Sequence, residues 1–121
     1  MNIAIVGSRT FKDRKAFDDA VIPYLEEICP DGKCTFISGG AKGVDSLAKL
    51  YAKQTCREII ELRPDYGKDY PKIAPLIRNK AIANRCDVMI AFWDGLSGGT
   101  ANAIAWATTL GKKIKVFIII N

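Results

Sequence analysis

Five short apolar runs, each rich in β-branched residues, alternate with four segments of helical period, and this alternation leaves the chain few folds to adopt. The runs are Asn2 to Val6, Cys34 to Ser38, Glu58 to Leu62, Asp87 to Trp93 and Ile114 to Ile120. Apolar on both faces of the pleat, they read as buried strands. Between them, Phe17, Val21, Leu25 and Ile28 share one helical face, as do Val44, Leu47, Ala48, Tyr51 and Ala52. The same spacing groups Ile73, Leu76, Ile77 and Ala81, and then Ala103, Ile104, Ala107 and Leu110. Strands alternating with helices predict an α/β three-layer sandwich with a five-stranded, mainly parallel sheet. At 121 residues the chain has the length of one domain.

Right-handed crossovers and the usual winding give the strand order 3-2-1-4-5, with the winding reversing between the first and fourth strands. Ligands of such sheets sit outside the carboxyl ends of the strands at that reversal. The segments that reach this edge are GSRTF (Gly7 to Phe11), SGGAKGVD (Ser38 to Asp45) and DGLSGGT (Asp94 to Thr100). The longest irregular stretch, Arg63 to Pro71, follows the third strand and could fold over the same edge.

The last two edge segments carry glycines where a strand ends and a helix begins: Gly39, Gly40 and Gly43 in one, Gly98 and Gly99 before Thr100 in the other. A helix N-terminus has unpaired N–H groups and partial positive charge, so it attracts phosphate or carboxylate, and glycine lets the anion come close. Each loop alone also fits a tight turn capped by Ser or Thr. Two such loops at one edge favour a shared anion site. Neither G-x-x-x-x-G-K-[ST] nor G-x-G-x-x-G is present, which counts against ordinary kinases, GTPases and dinucleotide dehydrogenases.

Composition narrows the chemistry further. The chain has no histidine, so mechanisms that need an imidazole base are excluded. Cys29, Cys34, Cys56 and Cys86 form no C-x-x-C pair and complete no metal-ligand cluster. They read as reduced thiols of a cytoplasmic protein. No apolar run reaches the length of a membrane span, and the first residues lack the order of a secretion signal. The net charge of +5 suits an anionic partner, but it is modest and its lysines are scattered, which argues against nucleic acid.

GSR after the first strand, SGGAKGVDSLA after the second, the Arg78-Asn79 pair and DVMIAFWDGLSGGTANAI together resemble the SLOG superfamily, and within it the YspA-like group. The resemblance covers nearly the whole chain. It implies a Rossmann-like fold and a ligand bearing ribose phosphate. The superfamily includes the LOG phosphoribohydrolases, DNA-processing protein A of bacterial transformation, and sensor domains proposed to bind nucleotides or nucleotide-derived signals. LOG enzymes carry P-G-G-x-G-T-x-x-E. Aligned on Gly99-Thr100, the final Glu falls on Ala103 and the leading Pro-Gly-Gly on Gly95, Leu96 and Ser97, whereas Arg78 matches the family Arg.

N-glycosidic cleavage needs a carboxylate, which Ala103 cannot supply, so the reading favours binding or sensing of a nucleotide or nucleotide-derived small molecule over hydrolysis. A phosphoribohydrolase using Asp94 or Asp45, and a binder of single-stranded nucleic acid, are the alternatives. The candidate ligand-binding residues are Gly7, Ser8 and Arg9; Ser38, Gly39, Gly40, Lys42, Gly43 and Asp45; Tyr66; Arg78 and Asn79; and Asp94, Ser97, Gly98, Gly99 and Thr100. Arg9 would clamp phosphate, Lys42 add a point charge and Tyr66 stack a base. Trp93 and Trp106 read as packing residues. No cofactor is implied; magnesium would enter only with a polyphosphate. The resemblance makes a homodimer or higher assembly plausible.

Overall fold

The computed structural model describes residues 1–68 and 70–120. Along the chain run β1 (Asn2–Gly7), α1 (Arg14–Ile28), β2 (Thr35–Ser38), α2 (Val44–Gln54), β3 (Ile59–Glu61), α3 (Ala74–Arg85), β4 (Val88–Trp93), α4 (Gly98–Thr109) and β5 (Lys113–Ile118). The strands form one five-stranded parallel sheet in the order β3-β2-β1-β4-β5, as the alternation predicts.

Period-two alternation divides the buried residues between two cores, because successive strand side chains point to opposite faces. Ile3, Ile5, Phe36, Val88, Ile90 and Phe92 face α1 and α2, where they meet Phe17, Val21, Leu25, Val44, Ala48 and Tyr51. This side is aromatic: the Phe92 ring lies 5.1 Å from Phe17 and 5.3 Å from Phe117. Ala4, Val6, Ile37, Met89 and Ala91 face α3 and α4, where small residues (Ala83, Ala103, Ala107) let the helices approach closely around Ile82. Asp13 caps α1 by accepting the Ala16 N–H at 3.0 Å.

The third helix corrects the sequence reading. Ile73, Leu76, Ile77 and Ala81 are spaced like a core stripe but face solvent, Ile77 at 46% exposure. The inward face is Ala74, Asn79, Ile82 and Ala83. Turning the large aliphatics outward brings alanines against the small-residue core and carries Arg78 and Asn79 to the carboxyl edge of the sheet. Leu110 likewise lies just beyond α4 and is exposed rather than part of its buried face.

Candidate functional site

The sheet reverses its winding between β1 and β4, and the loops leaving β1, β2 and β4 converge there, with the loop after β3 beside them. Between them lie two adjoining lobes of a cleft. The larger, about 450 Å³, is lined by Gly7, Ser8, Arg9, Gly39, Asp45, Arg78, Asn79, Asp94, Ser97, Gly99 and Thr100 among others. The smaller, about 340 Å³, is lined by Arg9, Gly39, Gly40, Ala41, Lys42, Arg63, Pro64, Tyr66 and Arg78. Arg9, Gly39, Ala41 and Arg78 belong to both.

The Arg78-Asn79 pair joins two of the converging loops. Arg78 Nη1 donates to the Gly39 carbonyl at 2.9 Å, and its Nε donates to Asn79 Oδ1 at 3.0 Å. Asn79 Nδ2 in turn donates to the Gly99 carbonyl and to Asn102 Oδ1, both at 3.2 Å. Consecutive residues of α3 thus hold the β2–α2 loop on one side and the first turn of α4 on the other. Burial pulls the Arg78 guanidinium below its ordinary value, with Asp45 opposing the fall.

The glycines of the two loops do different jobs. A Cβ at Gly39 would collide with the Arg78 guanidinium, and one at Gly40 would press on Glu61 and Arg63. At Gly43 it would stand 2.3 Å from the Ser8 carbonyl oxygen, and φ there is +71°, a backbone that side chains rarely adopt. The first loop is therefore approached closely by the protein's own groups. The amino end of α2 is occupied in the same way: the Val44 N–H donates to Ser8 O at 3.1 Å, and Asp45 Oδ2 accepts from the Ala41 N–H at 3.0 Å. Burial raises the Asp45 carboxyl above its usual range, with the Ala41 N–H, Arg78 and Arg9 pulling the other way.

At α4 the arrangement is open. A Cβ at Gly98 or Gly99 would meet nothing within 4 Å. The intrahelical ladder begins with the Ala101 N–H on the Ser97 carbonyl at 3.1 Å, so the amides of Gly98, Gly99 and Thr100 are the amino-terminal donors of a 12-residue helix. Asp94 shapes the turn before them, accepting from the N–H groups of Leu96 at 2.9 Å and Ser97 at 2.7 Å. Trp93 Nε1 braces it by donating to the Ser97 carbonyl at 3.0 Å. Ser8 is buried, with its hydroxyl 3.0 Å from that of Thr10.

Fourteen of the predicted site residues line the cleft and three do not: Ser38, Gly43 and Gly98. Ser38 is buried and accepts the Gly40 N–H at 3.2 Å, shaping the turn from below. Gly43 packs beneath the first loop, and Gly98 opens α4. Arg63, Pro64 and Thr10 also line the cleft, from stretches the sequence brings to this edge without naming them as site residues, as do Pro75 and Leu76, which it does not place there. Arg63 lies just beyond the carboxyl end of β3, where the rule that led to Arg9 applies equally. Tyr66 reaches the smaller lobe and is 56% exposed. No group of three or more metal-binding side chains occurs among the described residues. No described helix is long and apolar enough to cross a membrane.

No protein-family description matches the sequence, and no curated protein does. The fold is similar to that of DNA processing protein A from Streptococcus pneumoniae, with a TM-score of 0.75 and 23% identity over 95% of this chain and 49% of that one. It is also similar to DNA processing protein A from Helicobacter pylori, whose structure is described for its single-stranded DNA binding mode (TM-score 0.69, 21% identity, 96% of this chain and 64% of that one). A third likeness is to protein TM1055 (TM-score 0.62, 20% identity, 93% and 71%). This chain spans about half the length of the Streptococcus protein. These likenesses establish the fold: a Rossmann-like α/β sheet shared with DNA processing protein A, with its cleft at the reversal of winding.

Proposed function

We propose that this chain is a SLOG-type domain, of the YspA-like group, that binds a nucleotide or nucleotide-derived phosphorylated small molecule. The phosphate sits at the amino end of α4, against the amides of Gly98 to Thr100, with Arg9 and Arg78 facing it across the larger lobe. The observation that carries this reading is the open first turn of α4, where a Cβ at Gly98 or Gly99 would meet no described atom within 4 Å, beside two arginines in one cleft. The lobe is also within the size range of small-ligand sites, which begins at about 300 Å³.

Binding without cleavage fits the wall of the site. Ala103, where LOG enzymes carry their Glu, lines the larger lobe with a methyl group. The carboxylates there already have protein partners: Asp45 accepts from Ala41, and Asp94 from Leu96 and Ser97. The test is a thermal-shift series with nucleoside mono-, di- and triphosphates, ADP-ribose and cyclic nucleotides, followed by chromatography of each ligand. Stabilisation by a ligand recovered intact, lost in Arg9→Ala, is expected; a ligand at 100 times its Kd adds about 2.7 kcal/mol. Release of free base would replace binding with hydrolysis, and no shift with any phosphate compound would remove the site.

Single-stranded nucleic acid is the second reading, favoured by the likeness to the DNA-binding Helicobacter protein. It predicts oligonucleotide affinity that falls steeply as salt rises, because each phosphate contact releases counterions.

A further inference from the structure

The smaller lobe has a chemistry of its own. Arg9, Lys42, Arg63 and Arg78 line it, and its described lining contains no carboxylate. The larger lobe, by contrast, includes Asp45 and Asp94. Arg63 is held in place from behind: its Nη2 donates to Glu61 Oε2 at 2.8 Å, while Lys49 pairs with the other carboxylate oxygen at 3.1 Å. A guanidinium has five N–H donors, and this bond uses one of them. Gly40 makes the seat possible, since a Cβ there would stand 3.0 Å from Arg63 Cζ and 2.5 Å from Glu61 Oε2. The smaller lobe, lined by these four cations, adjoins the larger one at Arg9 and Arg78, which line both.

Glu61, shared with Lys49, offsets part of the Arg63 charge, and Asp45 part of that of Arg9 and Arg78; the positive charge left over repels itself, and an anion relieves that repulsion. One phosphate at the amino end of α4 leaves Lys42, and the Arg63 donors not spent on Glu61, without a bound anion. From this geometry we infer that the ligand carries two separated anionic groups, one in each lobe, with the second held by Arg63 and Lys42. The chemical class is a nucleotide phosphorylated at two positions, its nucleoside portion spanning Arg9 and Arg78 and its base within reach of Tyr66. This rests on the reading of the larger lobe as a phosphate site and adds a second subsite to it.

The probes are AMP and adenosine 3′,5′-bisphosphate, titrated by calorimetry into the protein and into Arg63→Ala and Lys42→Ala, both exposed positions. The bisphosphate is expected to bind at least about tenfold more tightly than AMP, since a charge-assisted contact is worth that much or more. That ratio falls towards one in either variant. Equal affinities in the unsubstituted protein, or a ratio untouched by both substitutions, overturn the second subsite while AMP binding keeps the first. If neither probe binds, the phosphate site itself fails and the second subsite with it. A 5′-phosphorylated oligonucleotide that binds far more tightly than the bisphosphate, with affinity rising with length, overturns the small-molecule assignment in favour of a nucleic-acid strand.

Discussion

Glycine at position 43 and glycine at position 99 are alike in sequence and opposite in consequence. At Gly43 a methyl group would strike the backbone of Ser8 and Arg9, and φ is positive, so Gly43→Ala should destabilise the fold by about 2 kcal/mol or more. At Gly99 a methyl group meets open space within an ordinary helix, so Gly99→Ala should change stability by less than about 0.5 kcal/mol. The same methyl group would stand in the cleft, so that variant should lose nucleotide affinity while keeping its fold. Urea denaturation of both variants, with a nucleotide titration of Gly99→Ala, measures the contrast; equal destabilisation would contradict it. Spacing revealed where these glycines lie but not what each one faces. Arg63 stayed hidden for a related reason: a lone arginine opening an irregular stretch looks solvated until Gly40 and Glu61 are seen to seat it.

Among the elements, the strands and their order were legible because β-branched runs at sheet spacing have few alternatives. The buried face of α3 was not. Ile73, Leu76 and Ile77 imitate a core stripe by size and spacing, yet the sheet beneath α3 is covered by Ala4, Met89 and Ala91 and accepts small neighbours. Helix propensity says nothing about which face turns inward, and here two polar residues, Arg78 and Asn79, turn with the alanines because Gly39 and Gly99 offer them carbonyls. Accordingly, Ile77→Glu should leave stability within about 0.5 kcal/mol of the unsubstituted protein, whereas Ile82→Ala should cost about 2–5 kcal/mol. Chemical denaturation of the two variants decides between this face and the one the spacing suggests. A large loss in Ile77→Glu would restore the latter.

Across the whole molecule the two cores differ in kind, one aromatic and one aliphatic, and the sheet between them makes each depend on the other. Phe92 ties the aromatic core to the cleft, with its ring stacked in that core and its carbonyl accepting the Ser8 N–H at 3.3 Å at the cleft edge. Phe92→Ala should cost about 3–5 kcal/mol. Trp106, packed against the aliphatic core, offers a probe on the opposite face. In Trp93→Phe, the Trp106 fluorescence and the far-UV circular dichroism should lose their native signals at one urea concentration, as expected of a single cooperative unit. Separate midpoints would mean that the two sides unfold independently.

The seam at Gly43, where the backbone of the second loop lies on the Ser8 carbonyl and the Val44 amide bonds to it, bears on how such sites can be transplanted. The loops after β1 and β2 share one surface without room for a side chain between them. Neither can be grafted onto another sheet alone: an engineer who moves GSR must move SGGAKG with it, and the inheritable part is the pair.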